Sequence, residues 1–584
     1  VNSRWSAGPS RHCLGALVAA TLAAAFAGNL IAAPFEKSLP KDAVVLVNIP
    51  NITDLKAKIG ETNYAEMLHD EAMKPFVENL TGEVTLLLDT AEQITNISVP
   101  EIFALPTGQV SLAVKLNPDN PQGVPHIYFL ADCKGKEDSL KDILSKISNA
   151  LEENGISKEM VGDVSVYSMG EQQVGFAVKG SVLAIGNEPE ALASVLETLE
   201  SGSDDSIGAT DRFAAFRARA GGGAHVEVFV DLVRGIELAS DMGQPEVATA
   251  IAMLGLNAFD SAGMTLSFGE NDNDMEAQIL VTTKGSSPVF NLFKMPAKPI
   301  KPEPWVPADV VAYTSFNWDV DLFYNTLIEM VNAVQPGAME QVETMLAGPD
   351  PNNPLLNIKA DLIGPLGDRV TLVTDYVVEE STPNPRVLVA WELENADKLT
   401  ELLDRLMALA GGALPLETKS VKGNTVYTFP LGDLVAAQVP EGQMPFKLGV
   451  FGFTITKTHF MLTTHVELLD KCLNTTDGGL VESDAYKRLA AKMPASVSLM
   501  GVSRDDEQGR ATWDYFKSGK LAEAIRTAME SQDEVGAFLG GIIDALDGSN
   551  LPEFDKVAKY FVPSGSYAIM DDKGVVYKMF VPKR

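Results

Sequence analysis

Leu39-Pro-Lys-Asp-Ala-Val-Val-Leu-Val47 comes back later in the chain as Val306-Pro-Ala-Asp-Val-Val-Ala-Tyr-Thr314. Each stretch is a proline-bounded run rich in β-branched residues, so each reads as a strand. The recurrence extends outward from there. Gln109-Val-Ser-Leu-Ala-Val matches Arg369-Val-Thr-Leu-Val-Thr, and His126-Ile-Tyr-Phe-Leu matches Arg386-Val-Leu-Val-Ala. Both pairs lead into amphipathic helices that start Asp138-Ser-Leu-Lys-Asp-Ile-Leu and Asp397-Lys-Leu-Thr-Glu-Leu-Leu. Gly175-Phe-Ala-Val-Lys-Gly-Ser-Val-Leu-Ala-Ile then runs without a gap beside Gly452-Phe-Thr-Ile-Thr-Lys-Thr-His-Phe-Met-Leu. Strand, polar turn and strand make this a hairpin. Helices follow at 190–199 and 467–473, then Asp211-Arg-Phe beside Asp484-Ala-Tyr. Strands at 224–230 and 495–501 lead into long helical segments at 232–254 and 513–546. Both series close on hairpins, Gly263-Met-Thr-Leu with Ile279-Leu-Val, and Ser566-Tyr-Ala-Ile with Met579-Phe-Val.

Each half therefore reads as strand, helices, two strands, helix, hairpin, helix, strand, helix, hairpin. The expected class is α+β: two tandem related copies, each a mainly antiparallel sheet with its helices packed on one face. The expected units are a leader at 1–27, a first repeat at 34–295 and a second at 296–584. Lys294-Met-Pro-Ala-Lys-Pro-Ile-Lys-Pro-Glu-Pro-Trp305 joins the copies, and its prolines make it a stiff, extended connector. The second copy carries an insertion at 431–447, a tolerated surface loop.

The whole chain has 584 residues, which is too long for one hydrophobic core. Hydrophobic residues at 46% and charged residues at 21% exclude disordered, collagen-like and disulfide-dense classes. Lys+Arg 46 against Asp+Glu 79 leaves −33, a charge that repels nucleic acid and anionic headgroups. Nucleic acid is therefore not an expected partner.

Arg4, Arg11 and His12 precede the apolar run Cys13-Leu-Gly-Ala-Leu-Val-Ala-Ala-Thr-Leu-Ala-Ala-Ala-Phe-Ala27. A basic start, a short apolar stretch and Ala25-Phe-Ala27 read as a cleaved secretory leader. Cleavage is expected after Ala27, with Ala33 as the later alternative. Val1 reads as a translated alternative start codon, in keeping with a bacterial source. Removing the leader leaves Cys133 and Cys472, read as two buried thiols and not as a disulfide framework.

The opening Leu-Pro-x-Asp-x-Val-x-x-Val is followed by Tyr64-Ala-Glu-Met-Leu-His-Asp-Glu-Ala-Met-Lys-Pro-Phe-Val-Glu-Asn-Leu80. Later comes Gly186-Asn-Glu-Pro-Glu-Ala-Leu-Ala-Ser-Val-Leu-Glu-Thr-Leu199. Together these resemble the large DUF3352-like secreted family of planctomycete-type bacteria. The likeness covers most of the mature chain as a packing pattern, although the second half has no counterpart of Met73-Lys-Pro-Phe76. The resemblance implies export and carries no agreed activity.

A search for chemistry finds no Gly-x-Ser-x-Gly elbow, phosphate loop, dinucleotide fingerprint or Ser-x-x-Lys set. His69, His126, His225, His459 and His465 include no zinc-type pair. His459 and His465 flank one strand near Glu467, but the matching first-half positions hold Val182 and Glu188. Glu270-Asn-Asp-Asn-Asp-Met-Glu276 has carboxylate spacing that Ca²⁺ accepts, yet it reads as a solvated turn. Trp305, Tyr313, Phe316, Trp318, Phe323 and Tyr324 offer either a sugar-stacking platform or, as favoured here, core. Gly221-Gly-Gly223 reads as a turn before a strand. No catalytic, cofactor-binding or metal-ligating residue is assigned, and no cofactor is expected.

The expected function is that of an exported, non-catalytic protein, binding or structural, in the cell envelope or periplasm. Its partner would be a protein or another envelope component, with no stable membrane insertion once the leader is gone. The alternatives are a carrier of an apolar ligand held between sheet and helices, or a hydrolase with its site between the copies. Expressed with its leader in an exporting bacterial host, the mature chain is expected to start at Gly28 by intact-mass measurement. An unprocessed cytoplasmic product would overturn the leader reading.

Overall fold

The computed structural model describes residues 34–584 apart from 83–84, 86–97, 118–123, 153–155, 162–163, 170–173, 242–244, 349–354, 380–381, 411–415, 430–448, 477, 521–522 and 524–547. The expected leader, the insertion at 431–447 and most of the helical segment 513–546 lie outside the described residues.

Residues 45–283 contribute ten strands: β1 (Val45–Ile49), β2 (Val110–Lys115), β3 (His126–Asp132), β4 (Ile156–Val161), β5 (Val164–Met169), β6 (Val174–Lys179), β7 (Val182–Gly186), β8 (Val226–Asp231), β9 (Phe259–Phe268) and β10 (Asn273–Thr283). Residues 312–582 contribute ten more: β11 (Ala312–Asn317), β12 (Leu366–Glu379), β13 (Thr382–Leu393), β14 (Glu417–Val421), β15 (Asn424–Phe429), β16 (Phe451–Ile455), β17 (His459–Thr463), β18 (Leu499–Ser503), β19 (Ser564–Asp571) and β20 (Gly574–Pro582). Every pairing is antiparallel. Across the first stretch the order is β4-β5-β6-β7-β3-β2-β1-β8-β9-β10. Across the second it is β14-β15-β16-β17-β13-β12-β11-β18-β19-β20.

The last strands of the two stretches pair with each other, so all twenty belong to one sheet. Gln278 faces Lys578 at the centre of this join, with Met275 opposite Val581 on one side and Val281 opposite Val575 on the other. The α+β class stands, but the expectation of a separate sheet in each half gives way to edge-to-edge fusion.

Two further expectations need correction. The hairpins β4–β5 and β14–β15 were not anticipated. Ile156-Ser-Lys-Glu-Met-Val and Glu417-Thr-Lys-Ser-Val are charged and weakly β-forming, with Lys158–Met160 and Glu417–Ser420 exposed, because they lie at the rims of the sheet. Helices also cover both faces of the first half, not one. Leu46, Tyr128 and Leu130 pack with Leu192 and Leu196 of the helix Pro189–Glu197 and with Phe213 and Phe216 of the helix Asp211–Ala220. Ile49, Phe129 and Ala131 face the other way, against Leu55 of the helix Ile52–Gly60 and Leu140 and Ile143 of the helix Glu137–Glu152. A strand covered on both faces reads as a continuous apolar run, and Tyr128-Phe-Leu-Ala131 is one.

The segment 232–254 is two helices, Leu232–Asp241 and Pro245–Leu254, with the proline at the start of the second, where it costs no helical hydrogen bond. The proline-rich connector is docked and not free. Lys298 bridges to Val497, and Ile300 and Val306 are buried in the second half's core.

The halves also exchange helical arms. Met67, Met73 and Phe76, which follow β1, pack with Trp513, Phe554, Val557 and Tyr560 of the second half. Asp70 accepts hydrogen bonds from Lys559 at 2.7 Å and Tyr560 at 2.6 Å. In return the helix Val320–Val334, which follows β11, packs against the first half's helices Pro288–Leu292 and Pro245–Leu254.

Phe580 lies beside the join and is buried in the core. Phe580→Ala is expected to lower the unfolding free energy by about 3–5 kcal/mol, read by urea denaturation. A loss below about 1 kcal/mol would mean that the join bears little of the packing.

Candidate functional site

On the face of β11, β18, β19 and β20 lies a cavity of about 660 Å³. Strand alternation builds it. Tyr313, Met500 and Val502 point into the core on the opposite face, while Ala312, Thr314, Gly501, Ser503, Ser564 and Ser566 floor the cavity. Tyr577 and Met579 of β20 extend the floor toward the join. The roof is the helix Asp505–Lys517, which supplies Thr512, Trp513 and Phe516, together with Phe561 and the first half's Tyr64.

The rings of the roof hold one another edge to face. Trp513 and Phe561 stand 6.1 Å apart at 86°, and Tyr64 and Phe561 stand 5.9 Å apart at 89°. Such T-shaped pairs satisfy the ring quadrupoles. Trp513 Nε1 donates to the Pro552 carbonyl at 2.9 Å, which fixes the indole. The one carboxylate in the lining is Asp505. It accepts a hydrogen bond from Ser503 Oγ at 2.7 Å, and the Ser564 hydroxyl also favours its charged form. Burial pushes its pKa above the usual carboxylate value, against the pull of the two hydroxyls. Burial raises the Tyr64 phenol too, helped by Asp505 and Asp274. The chamber is thus apolar and aromatic, with one polar corner.

The histidines lie apart from this cavity. His69 Nδ1 sits 2.7 Å from the Ala65 carbonyl. His126 lies 3.5 Å from Glu188, and His225 lies 3.3 Å from Asp54 while accepting the Phe268 N–H. His459 and His465 stand at opposite ends of β17, each beside a threonine hydroxyl, Thr458 and Thr464. Among the described residues no group of three or more His, Cys, Asp or Glu is placed to hold a metal ion. No helix there is long and apolar enough to cross a membrane.

The acidic turn is solvated at its tip, where Glu270, Asn271 and Asp272 are exposed, but its flank at Asp274 and Glu276 is buried. Asn271 and Asp272 take φ of 52° and 57°, the left-handed pair that closes the β9–β10 hairpin. Asp274 is buried and accepts the Asn63 N–H at 3.0 Å, while Glu276 takes Asn273 at 2.6 Å and Lys578 at 2.5 Å. Protein donors thus occupy these carboxylates. Tyr313 and Tyr324 are buried, and Trp318 lies between Phe323 and Trp391 while its Nε1 donates to Leu292 O. Tyr313 and Tyr324 are therefore core, while Trp305, Phe316, Trp318 and Phe323 are half-buried around it. The Gly221–Gly223 residues all have positive φ, as a turn requires. Cys133 and Cys472 are free and buried in separate clusters, and burial lifts both thiols to about 12.

Two buried ion clusters complete the survey. Glu36 and Glu227 share Arg217, with Gln109 and Asn48 filling the remaining hydrogen bonds. In the second half Glu303 pairs with Arg369 at 3.1 Å and accepts Thr371 Oγ1 at 2.8 Å. The charges are met within each network, with only Arg217 Nε left without a hydrogen bond in the first, and both read as structural.

No motif announces Asp505, Ser503, Ser564 or Ser566, because they are scattered over a strand, a helix start and a second strand. No protein-family model, curated protein or solved structure matches the chain.

His459 gives a pH prediction. Its ring packs 5.4 Å from Trp305, and burial, helped by Arg369, pushes its pKa down to about 4. Below the unfolded value of about 6.5 the unfolded chain takes up a proton that the folded chain refuses. Stability therefore falls as pH drops from about 6.5 toward about 4, by about 2–3 kcal/mol from this residue. His459→Gln should remove that part of the slope in urea unfolding between pH 7 and 4.5. An unchanged slope would contradict the burial argument.

Proposed function

We propose that this is an exported, non-catalytic binding protein built as two tandem related α+β copies, and that the cavity of the second copy is its ligand site. The resemblance to DUF3352-like secreted proteins and the leader at 1–27 belong to the same reading, which places the protein in the envelope or periplasm. The identical order of ten strands in each stretch supports the duplication. So does the join, where Gln278 and Lys578 occupy the same place in their strands and face each other.

One observation carries the binding site. The ladders set the two stretches rung against rung. Val45 and Val47 correspond to Ala312 and Thr314, through their pairing with β2 and β8 or with β12 and β18. Val228 and Val230 correspond to Gly501 and Ser503, and Ala262 and Met264 to Ser564 and Ser566. The cavity floor thus carries glycine, alanine, threonine and three serines where the first stretch carries four valines, an alanine and a methionine. Bulk has been withdrawn and hydroxyls added at one patch of an otherwise shared scaffold. That pattern fits a ligand site.

The apolar-carrier alternative merges with this reading, since the cavity lies between sheet and helix as that alternative requires. The hydrolase alternative gains no support, because none of the five histidines lines the cavity.

Gly501→Val together with Ser566→Met restores the first-stretch residues to the floor. A Cβ at Gly501 would lie 2.3 Å from Ser566 Oγ, so the two positions are changed together. Saturable uptake of the neutral fluorophore N-phenyl-1-naphthylamine is expected in the natural chain. The double variant should weaken it by about tenfold or more, with unfolding free energy within about 1.5 kcal/mol of the original. Equal uptake by both proteins would refute the site.

A further inference from the structure

The polar corner of the cavity specifies more than an apolar guest. Ser503, Ser564 and Asp505 stand together there, Ser503 Oγ donating to the carboxylate at 2.7 Å and the Ser564 hydroxyl favouring its charged form. At the matching rungs the first stretch has Val230 and Ala262, and the residue two places after Val230 is Leu232. All three positions therefore differ as a set, apolar in one stretch and polar in the other. A helix start favours an acidic residue by its dipole, which accounts for Asp505 alone. It does not account for two serines on two strands turned toward it.

Asp505 lacks the cationic partner that several enclosed carboxylates of this chain have, as do Asp132 and Asp274, which are met by hydroxyl and backbone donors. Glu36, Glu227, Glu276, Glu303 and Asp375 each have a Lys or Arg within ion-pair distance. Among the described residues, no Lys, Arg or His pairs with Asp505. Two hydroxyls leave part of a carboxylate's accepting capacity open toward the cavity. Around it stand Tyr64, Trp513, Phe516 and Phe561, whose ring faces attract positive charge.

We infer that the cavity takes an organic cation, with its ammonium group against Asp505 and its apolar body among these rings and Met579. This rests on the cavity being a ligand site. A fatty acid or other anion is disfavoured, since it would set a second carboxylate beside Asp505 on a chain of net charge −33. A bare metal ion is disfavoured because one carboxylate and two hydroxyls already bonded to it make a poor oxygen shell. The chain's overall charge concentrates cations near the mouth.

Isothermal titration of the full mature chain with three isosteric probes tests this: n-octylammonium, 1-octanol and octanoate. The ammonium is expected to bind about tenfold or more tightly than the alcohol, and the carboxylate most weakly. Asp505→Asn should bring ammonium and alcohol within about twofold of each other while leaving the alcohol's affinity unchanged. Asp505→Leu, the first-stretch residue, provides a second variant if the amide perturbs folding, and it should favour the alcohol. Equal binding of ammonium and alcohol by the natural chain, or a preference that survives both substitutions, would overturn the cation assignment and leave the apolar site standing. Failure of all three probes would overturn both.

Discussion

The antiparallel pairing of β10 with β20 is the constraint on which the rest of the molecule depends. It turns two ten-strand stretches into one sheet, and its centre fixes how every other element is placed. With Gln278 opposite Lys578, each strand of one stretch lies as far from the join as its counterpart does in the other. The helices after β1 and β11 are thereby brought over the helices that follow β18 and β8, and the mixed cluster of Met73, Phe76, Trp513 and Phe554 forms across the halves. The cavity depends on the same geometry, because Tyr64 reaches its roof from the opposite half.

Within this frame the two stretches solve one electrostatic problem differently. A buried glutamate precedes the first strand of each, Glu36 before β1 and Glu303 before β11. The cation for Glu36 comes from a helix, as Arg217, while Gln109 on β2 helps from the sheet. For Glu303 it comes from the sheet itself, as Arg369 at the rung of β12 that matches Gln109. An enclosed carboxylate tolerates either source, provided its charge and lone pairs are met.

Much of the sheet was legible in the chain. Proline-bounded runs such as Leu39–Val47, and hairpins such as that beginning at Gly175, carry β-branched, apolar patterning that reads as strand. The outermost hairpins were not legible, because rim strands need no apolar face. The cavity was hidden by register. Gly263 aligns by residue type with Ser566, but the ladder sets it level with Gly565 and sets Met264 level with Ser566. A slip of one residue exchanges the faces of a strand. Read in the wrong register, the contrast between Met264 and Ser566 falls on opposite sides of the sheet and disappears. The strand at 224–230 also matches 497–503, and not 495–501, which moves Gly501 from Val230 to Val228.

The rims left by the join have a bearing on how such a chain survives in solution. Two open ten-strand sheets would offer four unpaired edges, and among the described residues fusion leaves only β4 and β14. The edge hidden at the centre contains Ile279-Leu-Val281, the kind of apolar strand that recruits copies of itself into aggregates. The strands left outermost carry Lys158 and Glu159, and Glu417 and Lys419, charges that would be stripped of water by any strand laid against them. The sticky borders are used up against each other, and the borders that face the surroundings are guarded against further growth of the sheet.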